Sequence, residues 1–306
     1  MGDVVLAGAA IAAFAEQHPD TQIRLYTKSI YTPLFAFSDW LTVIGLDTTR
    51  GPADLWRIAQ NIRAWKPDLI ADFHSTLRAN VLRTLLPQFR WRRARKYSLA
   101  RWLKTKGQRQ PLQIPHVVER NGAVLGVTPT PGDWITGLRE EESKTGTEET
   151  LALVPGAAWA TKRWPIHYFI DIASRWHGQV LWFGGDAERL AIESAIAKST
   201  GSAKIALPLD DTVKEIASAD VVVANDTGLA HIAAAVGTPV ITIYGPTDPA
   251  FGFHPWGKHV VISSDLECRP CSLHGHDACP LEHHACLTGI GTDRVWSELM
   301  ALTKNK

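Results

Sequence analysis

The chain has 306 residues, 45% hydrophobic and 21% charged, which is ample for a sizeable core and favours two domains over one. Its formal net charge of +1 gives no global argument for nucleic acid, and no run reaches the roughly 18 apolar residues of a membrane span. Four cysteines are too few for a disulfide scaffold, and the apolar stretch after Met1-Gly2-Asp3 lacks the basic flank of a secretory signal, so the expected compartment is the cytoplasm.

Short apolar runs alternate with helical patterns along the whole chain. In the first half, Gln22 to Tyr26 reads as a strand, Asp54 to Trp65 as a helix, Asp68 to Phe73 as a buried strand and Leu77 to Leu86 as a helix. A dense basic stretch follows: Arg90, Arg92, Arg93, Arg95, Lys96, Arg101, Lys104, Lys106 and Arg109, interleaved with Phe89, Trp91, Tyr97, Trp102 and Leu103. A solvated helix face and an anion-binding aromatic surface are equally good readings of it. Glu140 to Glu149 is charged and without apolar period, and is expected to be a linker.

A second series begins directly afterwards. Leu151 to Val154 is a strand, Ile166 to Trp176 a helix, Val180 to Phe183 a strand and Glu188 to Lys198 a helix. Thr212 to Ala219 is a helix, Val221 to Ala224 a strand, Ala230 to Val236 a helix and Val240 to Tyr244 a strand. Alternation of this kind predicts parallel sheets wrapped by helices, with ligands at the carboxyl ends of the strands. The tryptophans, 12 in number, are expected mainly in the core, with a few rings at the surface.

Three loops of the second half join a strand end to a helix. Asn225-Asp226-Thr227-Gly228 places small polar residues at a helix N-terminus, where free N–H groups and the helix dipole favour an anion such as pyrophosphate. Gly228 permits close approach of a ligand, and His231 lies one turn past Thr227 on the same face. A plain helix cap by Asp226 or Thr227 is the competing reading. Pro155 to Pro165 carries Thr161 and the adjacent cations Lys162 and Arg163, suited to phosphate neutralisation. Gly184-Gly185-Asp186-Ala187-Glu188 offers a carboxylate for ribose hydroxyls, although acids are common in first turns for dipole reasons alone. Together the three loops read as a nucleotide-diphosphate pocket.

The segment Asp226 to Ala235, followed by Gly237-Thr238-Pro239 and Tyr244-Gly245-Pro246-Thr247, resembles the signature of glycosyltransferase family 9, the ADP-heptose–lipopolysaccharide heptosyltransferases. Lys162-Arg163-Trp164-Pro165 resembles the family's second donor-site motif. Gly2-Asp3-Val4-Val5-Leu6 resembles its N-terminal loop, and Asp72-Phe73-His74-Ser75-Thr76-Leu77-Arg78 an N-domain segment. The similarity runs along essentially the whole chain.

The resemblance implies an α/β protein of the GT-B fold: two Rossmann-like domains whose parallel sheets face a central cleft. Residues 1–147 would bind the acceptor and 148–306 the nucleotide-sugar donor, with the last helix packing back on the first domain. It implies an inverting transfer of heptose from ADP-heptose to the inner core of lipopolysaccharide, with no cofactor and no catalytic metal. Asp3 would deprotonate the acceptor hydroxyl, and Lys162 with the helix N-terminus at Thr227-Gly228 would stabilise the departing diphosphate. Thr161, Glu188, Asp226 and His231 would hold the donor, and His74, Ser75 and Arg78 the phosphorylated glycolipid acceptor. That acceptor implies peripheral contact with the inner face of the plasma membrane.

The chain departs from the family pattern in two places. The family opens with a buried strand and a small polar loop before its Gly-Asp pair, whereas this chain begins at Met1, so the first strand is expected to be missing. Ala157 and Ala158 stand where some relatives carry hydroxyl residues, which shifts phosphate contacts onto Thr161 or the backbone.

Cys268-x2-Cys271-x7-Cys279-x6-Cys286 holds every cysteine in the chain, with His274, His276, His283 and His284 among them. Packed reduced thiols and a closed structural zinc site both fit this spacing. Two other functional classes stay open: a GT-B enzyme using another nucleotide sugar, and a non-catalytic relative that binds nucleotide or glycolipid.

Overall fold

The computed structural model describes residues 1–47, 51–107, 113–138 and 148–304. The chain divides into two compact units. One gathers Met1, Asp3–Ser98 and Pro115–Thr130; the other gathers Gly2, Leu99–Ile114 and Pro131–Lys306. The linker expected at Glu140 to Glu149 lies, as far as Thr147, outside the described residues, as does Arg109 of the basic stretch.

The first unit opens with helix α1 (Gly2–Gln17), whose residues Val4 to Ala12 are all buried. A helix apolar on every face belongs inside a fold, and the Ala-rich sequence adds high helix propensity. Strand β1 (Arg24–Lys28) pairs in parallel with β2 (Thr42–Leu46), placing Tyr26 opposite Ile44. After α2 (Pro52–Trp65) comes β3 (Ile70–Asp72), then α3 (Leu77–Leu85) and β4 (Trp91–Arg93), with β3 and β4 again parallel. The basic stretch is therefore a strand followed by helix α4 (Ser98–Thr105), which beyond Ser98 is grouped with the second unit, and not one helix face. Helix α5 (Val117–Leu125) completes the unit. Ile58, Ala59 and Ile62 of α2 form a small core with Leu86, against which Tyr26, Leu46, Ile70 and Trp91 pack. That cluster draws on both two-stranded sheets. The expected strand Asp68 to Phe73 shortens to its middle three residues because only those pair with β4.

The second unit is built on a six-stranded parallel sheet. In chain order its elements are β5 (Thr150–Val154), α6 (Ile166–Arg175), β6 (Gln179–Gly184), α7 (Arg189–Ile196), β7 (Ser202–Ile205) and α8 (Leu209–Ser218). There follow β8 (Val221–Asn225), α9 (Gly228–Ala235), β9 (Val240–Tyr244), β10 (His259–Ser263), α10 (Ala285–Thr288) and α11 (Thr292–Lys304). Spatial order is β10-β9-β8-β5-β6-β7. The chain builds outward from β5 through β6 and β7, then returns to lay β8 on the other side of β5. The switch point thus lies between β5 and β8, where a doubly wound sheet opens a crevice at its strand ends.

Strands β8 and β9 are wholly buried, as a parallel sheet covered on both faces requires. Trp164, Phe169, Trp182, Leu151 and Leu153 fill the core, and α11 adds Val295 and Leu299. Three of the enclosed indole N–H groups meet a carbonyl: Trp164 donates to Ile290, Trp176 to Glu149 and Trp182 to Thr200, at 2.9 to 3.0 Å. Trp56, Trp102 and Trp159 are exposed, so the rings divide between core and surface.

Candidate active site

Asn225 ends β8 and Asp226 follows it directly. Pro155 follows β5 directly, opening the loop that runs to α6. Because Val154 lies opposite Ala224 in the sheet, these two chain exits leave the crevice side by side. Within the β5–α6 loop, Ala160 to Lys162 make a single 3-10 turn. The turn brings Lys162 Nζ to 2.6 Å from Asp226 Oδ2, with both side chains mostly shielded. Thr247 Oγ1, from the loop after β9, donates to the same carboxylate oxygen at 2.8 Å. Three strand-end loops therefore converge on Asp226.

Thr227 is the N-cap residue of α9 in extended conformation, and its side chain makes no capping bond. Its Oγ1 is enclosed without a hydrogen-bond partner among the described residues. The competing reading of Asp226 and Thr227 as simple caps is not what the geometry does: one is spent on Lys162 and Thr247, the other leaves the helix N-terminus uncapped. Gly228 opens the helix, and His231 lies buried one turn further on.

Glu188 sits at the mouth of the loop after β6. Its Oε2 accepts from Gly185 N at 3.0 Å, and its Oε1 lies 3.5 Å from Arg163. Any side chain on Gly156 would meet the Glu188 carboxyl carbon at 3.1 Å, so that glycine lets the carboxylate lie against the β5–α6 loop. Thr161 is buried and faces away from solvent. Its hydroxyl donates to His276 O at 2.8 Å and accepts from His276 N at 2.7 Å, while its own N–H donates to His276 O. The ring of His284 meets Thr161 O at 3.0 Å.

The segment between β10 and α10 thus clasps the lysine loop. It clasps the loop after β9 as well. Cys271 N and Ser272 N donate to Pro246 O, and the Arg269 guanidinium donates to the carbonyls of Gly245, Ser264 and Thr247. Burial lowers the Arg269 pKa from its usual value; Asp248 and three of the cysteines act in the opposite sense. Tyr244, fully enclosed at the end of β9 with its hydroxyl donating to Phe253 O, has its pKa raised well above the phenol value by burial and then by Asp226 and Asp248. All four cysteines are free thiols. Among the described residues no three His, Cys, Asp or Glu side chains are arranged to hold a metal ion.

In the first unit, Asp3 is exposed in the first turn of α1. His74 and Ser75 lie on the β3–α3 connection, and Arg78 in the first turn of α3. Asp72, buried at the end of β3, accepts from His74 N at 3.1 Å and Ser75 N at 2.7 Å and pairs with Arg93 at 3.2 Å. Ser75 takes a left-handed φ of 47°, and Thr76 caps α3 through Ala79 N.

A doubly wound sheet with a lysine–aspartate pair and an uncapped helix N-terminus at its switch point, joined to a second α/β unit, defines a glycosyltransferase of the GT-B type. The sequence profile of glycosyltransferase family 9 (heptosyltransferase) matches residues 55–282, and the chain belongs to that family. It is 26% identical to lipooligosaccharide heptosyltransferase 2 of Campylobacter jejuni, over 99% of this chain and 96% of that one. With lipopolysaccharide heptosyltransferase 1 of Pseudomonas aeruginosa it shares 31% identity over 50% of this chain and 47% of that protein. The structure of Escherichia coli heptosyltransferase WaaC with ADP superposes with a TM-score of 0.72 at 18% identity, covering 99% of this chain and 97% of that one.

Sequence reasoning had singled out Lys162, Glu188, Asp226, Thr227, Gly228 and His231, and all six lie in the loops around the switch point or on the helix leading from it. Thr247 and Arg269 carried no signal of their own, His276 and His284 were named only for their place among the cysteines, and Asn225 had no role of its own. Thr247 stood inside the quoted motif, but nothing local marked it as a partner of Asp226.

Proposed function

We propose that this protein transfers heptose from ADP-heptose to the inner core of lipopolysaccharide, with inversion at the anomeric carbon. The observation that carries the reading is the Lys162–Asp226 pair beside the uncapped N-terminus of α9, in a chain of family 9. Residues 148–306 bind the donor. The diphosphate lies at Thr227-Gly228, where free N–H groups favour an anion, with Lys162 as its cation and Glu188 toward the ribose. Asp226 and His231 complete the donor site; Thr161 supports it from behind, its hydroxyl being engaged by His276.

Residues 1–147 bind the acceptor, with His74, Ser75 and Arg78 toward its phosphates. The Asp3 carboxylate takes the proton of the acceptor hydroxyl, whose oxygen forms a bond to the anomeric carbon. The bond from that carbon to the β-phosphate oxygen breaks, and its electron pair leaves with ADP. Lys162 and the α9 N–H groups stabilise that charge without a metal, fixed electrostatics of this kind being the largest contribution in many enzymes.

The acceptor also explains the charge distribution. No Asp or Glu occurs between Asp72 and Glu119, and helix α4 in that stretch exposes Leu99 and Trp102 next to Lys106. A basic surface with exposed apolar side chains suits the anionic inner leaflet. No helix among the described residues is long and apolar enough to cross a membrane.

The test is transfer from ADP-heptose to a heptose-free lipopolysaccharide, followed by mass spectrometry, beside ADP titration calorimetry. The protein is expected to transfer heptose, and Asp3→Asn to lose about a hundredfold or more in kcat while binding ADP unchanged. Binding of a different nucleotide in preference to ADP would defeat the donor assignment, and undiminished transfer by Asp3→Asn would defeat the base.

A further inference from the structure

Asn225 is fully buried at the end of β8 and makes two hydrogen bonds to one loop. Its Oδ1 accepts from Trp164 N at 3.0 Å, and its Nδ2 donates to Pro155 O at 2.7 Å. Those partners are the two ends of the loop that carries Lys162. Pro155 is its first residue beyond β5, and Trp164 its last before Pro165 caps α6. The orientation of the amide is fixed, because only the oxygen can face an N–H and only the nitrogen a carbonyl.

We propose that Asn225 is the positioning residue of the donor site: by closing the base of this loop it holds Lys162 on Asp226, and so holds the cation where the diphosphate charge develops. The inference rests on the donor-site reading given above.

Three observations lead there. First, Asn225 and Asp226 are consecutive, so one backbone segment fixes both the base of the loop and the acceptor for its lysine. The 2.6 Å contact between Lys162 and Asp226 depends on how far the turn at Ala160 to Lys162 reaches from that base. Second, Trp164 cannot yield instead: its ring is 1% exposed, and its indole N–H is held by Ile290 O. Third, the residue type is demanding. An aspartate would lack the donor for Pro155, a leucine would leave both backbone groups unpaired, and an alanine would free both ends of the loop.

A purely structural asparagine would satisfy the same two backbone groups without bearing on Lys162. The two roles separate by coupling. The first measurement is acetylation of the folded protein by a limiting amount of acetic anhydride, read lysine by lysine by mass spectrometry. Lys162 is expected to react about tenfold faster in Asn225→Ala than in the parent, with Lys198 as internal reference. The second is ADP affinity by calorimetry in Asn225→Ala, Lys162→Ala and the double variant. Each single change is expected to weaken binding roughly tenfold, and the double variant to bind no more weakly than Lys162→Ala.

Additive losses in the double variant, or unchanged Lys162 reactivity in a folded Asn225→Ala, overturn the proposal. If Asn225→Ala does not fold, Asn225→Asp keeps the acceptor for Trp164 while losing the donor to Pro155, and the same measurements decide. The acetylation arm needs no nucleotide. If the parent protein fails to bind ADP, the donor reading falls, while that arm still decides whether Asn225 holds the lysine.

Discussion

Thr161 and His276 stand 115 residues apart in the chain and share three hydrogen bonds: hydroxyl to carbonyl, backbone N–H to hydroxyl, and backbone N–H to carbonyl. Thr161 is the residue before Lys162, and His276 belongs to the irregular segment between β10 and α10. The donor loop is therefore fastened from the side as well as from its base.

Replacing Thr161 by Val keeps the shape and removes the hydroxyl. His276 N is then left without its partner beside the buried Thr161, at a cost of about 1–3 kcal/mol. Urea unfolding followed by far-UV circular dichroism is expected to give that loss for Thr161→Val and to recover most of it in Thr161→Ser. Equal stability of all three proteins would contradict the account of this contact.

Lys162→Ala is expected to weaken ADP binding roughly tenfold, about 1.4 kcal/mol, the low end for a hydrogen bond to a charged group. Removing the cation also leaves the mostly shielded Asp226 carboxylate with the Thr247 hydroxyl in place of its ion pair, so some stability is lost as well. Calorimetric titration beside a thermal melt separates the two, and a large drop in melting temperature with unchanged ADP affinity would make Lys162 a structural residue.

In the other unit, Asp72→Ala deprives His74 N, Ser75 N and the Arg93 guanidinium of a common acceptor. Removal of a buried charged acceptor costs roughly 2–4 kcal/mol. The loop with His74 and Ser75, which leads into α3 and Arg78, should lose its geometry first, visible as faster amide exchange at 74 and 75. Exchange rates equal to the parent's would show that the loop keeps its shape without Asp72.

Burial, opposed by Arg269 and assisted by the other three cysteines, pushes the Cys286 thiol from 9.0 up to about 11. Between those values the unfolded chain has released this proton while the folded chain retains it. Stability from this group is thus complete below pH 9 and declines as pH rises toward 11. Cys271 shifts in the same direction. At pH 8 about one Cys286 in a thousand is thiolate, so iodoacetamide should label it far more slowly in the native protein than in urea. Equal rates in the two states would refute the shift.

The second unit was largely legible because its chemistry is local. Leu151 to Val154, Val221 to Ala224 and Val240 to Tyr244 are continuous apolar runs, the pattern of strands covered on both faces, and they lie within a residue of β5, β8 and β9. Strand β7 escaped notice because Ser202-Ala203-Lys204-Ile205 lies at the sheet edge, half exposed, and carries no such run. Helix α1 was missed for the opposite reason: Val4 to Ala12 is apolar on all sides and has no helical period to detect. At the site, Lys162 and Asp226 were visible as residue types at strand ends. Their pairing was not, nor were the bonds from Asn225 to Pro155 and from Thr161 to His276, which span 70 and 115 positions. No periodicity reports on contacts at that distance.

The anchoring of residues 264–284 onto two other loops has a consequence for engineering. Arg269 ties this irregular stretch to Gly245 and Thr247, and His276 ties it to Thr161, so the three stretches form one mechanical part. A chimera that imports a relative's lysine loop alone would set foreign side chains against this chain's own anchor. Donor preference should transplant between relatives only when all three stretches travel together, which makes this part, and not the single loop, the natural unit of exchange.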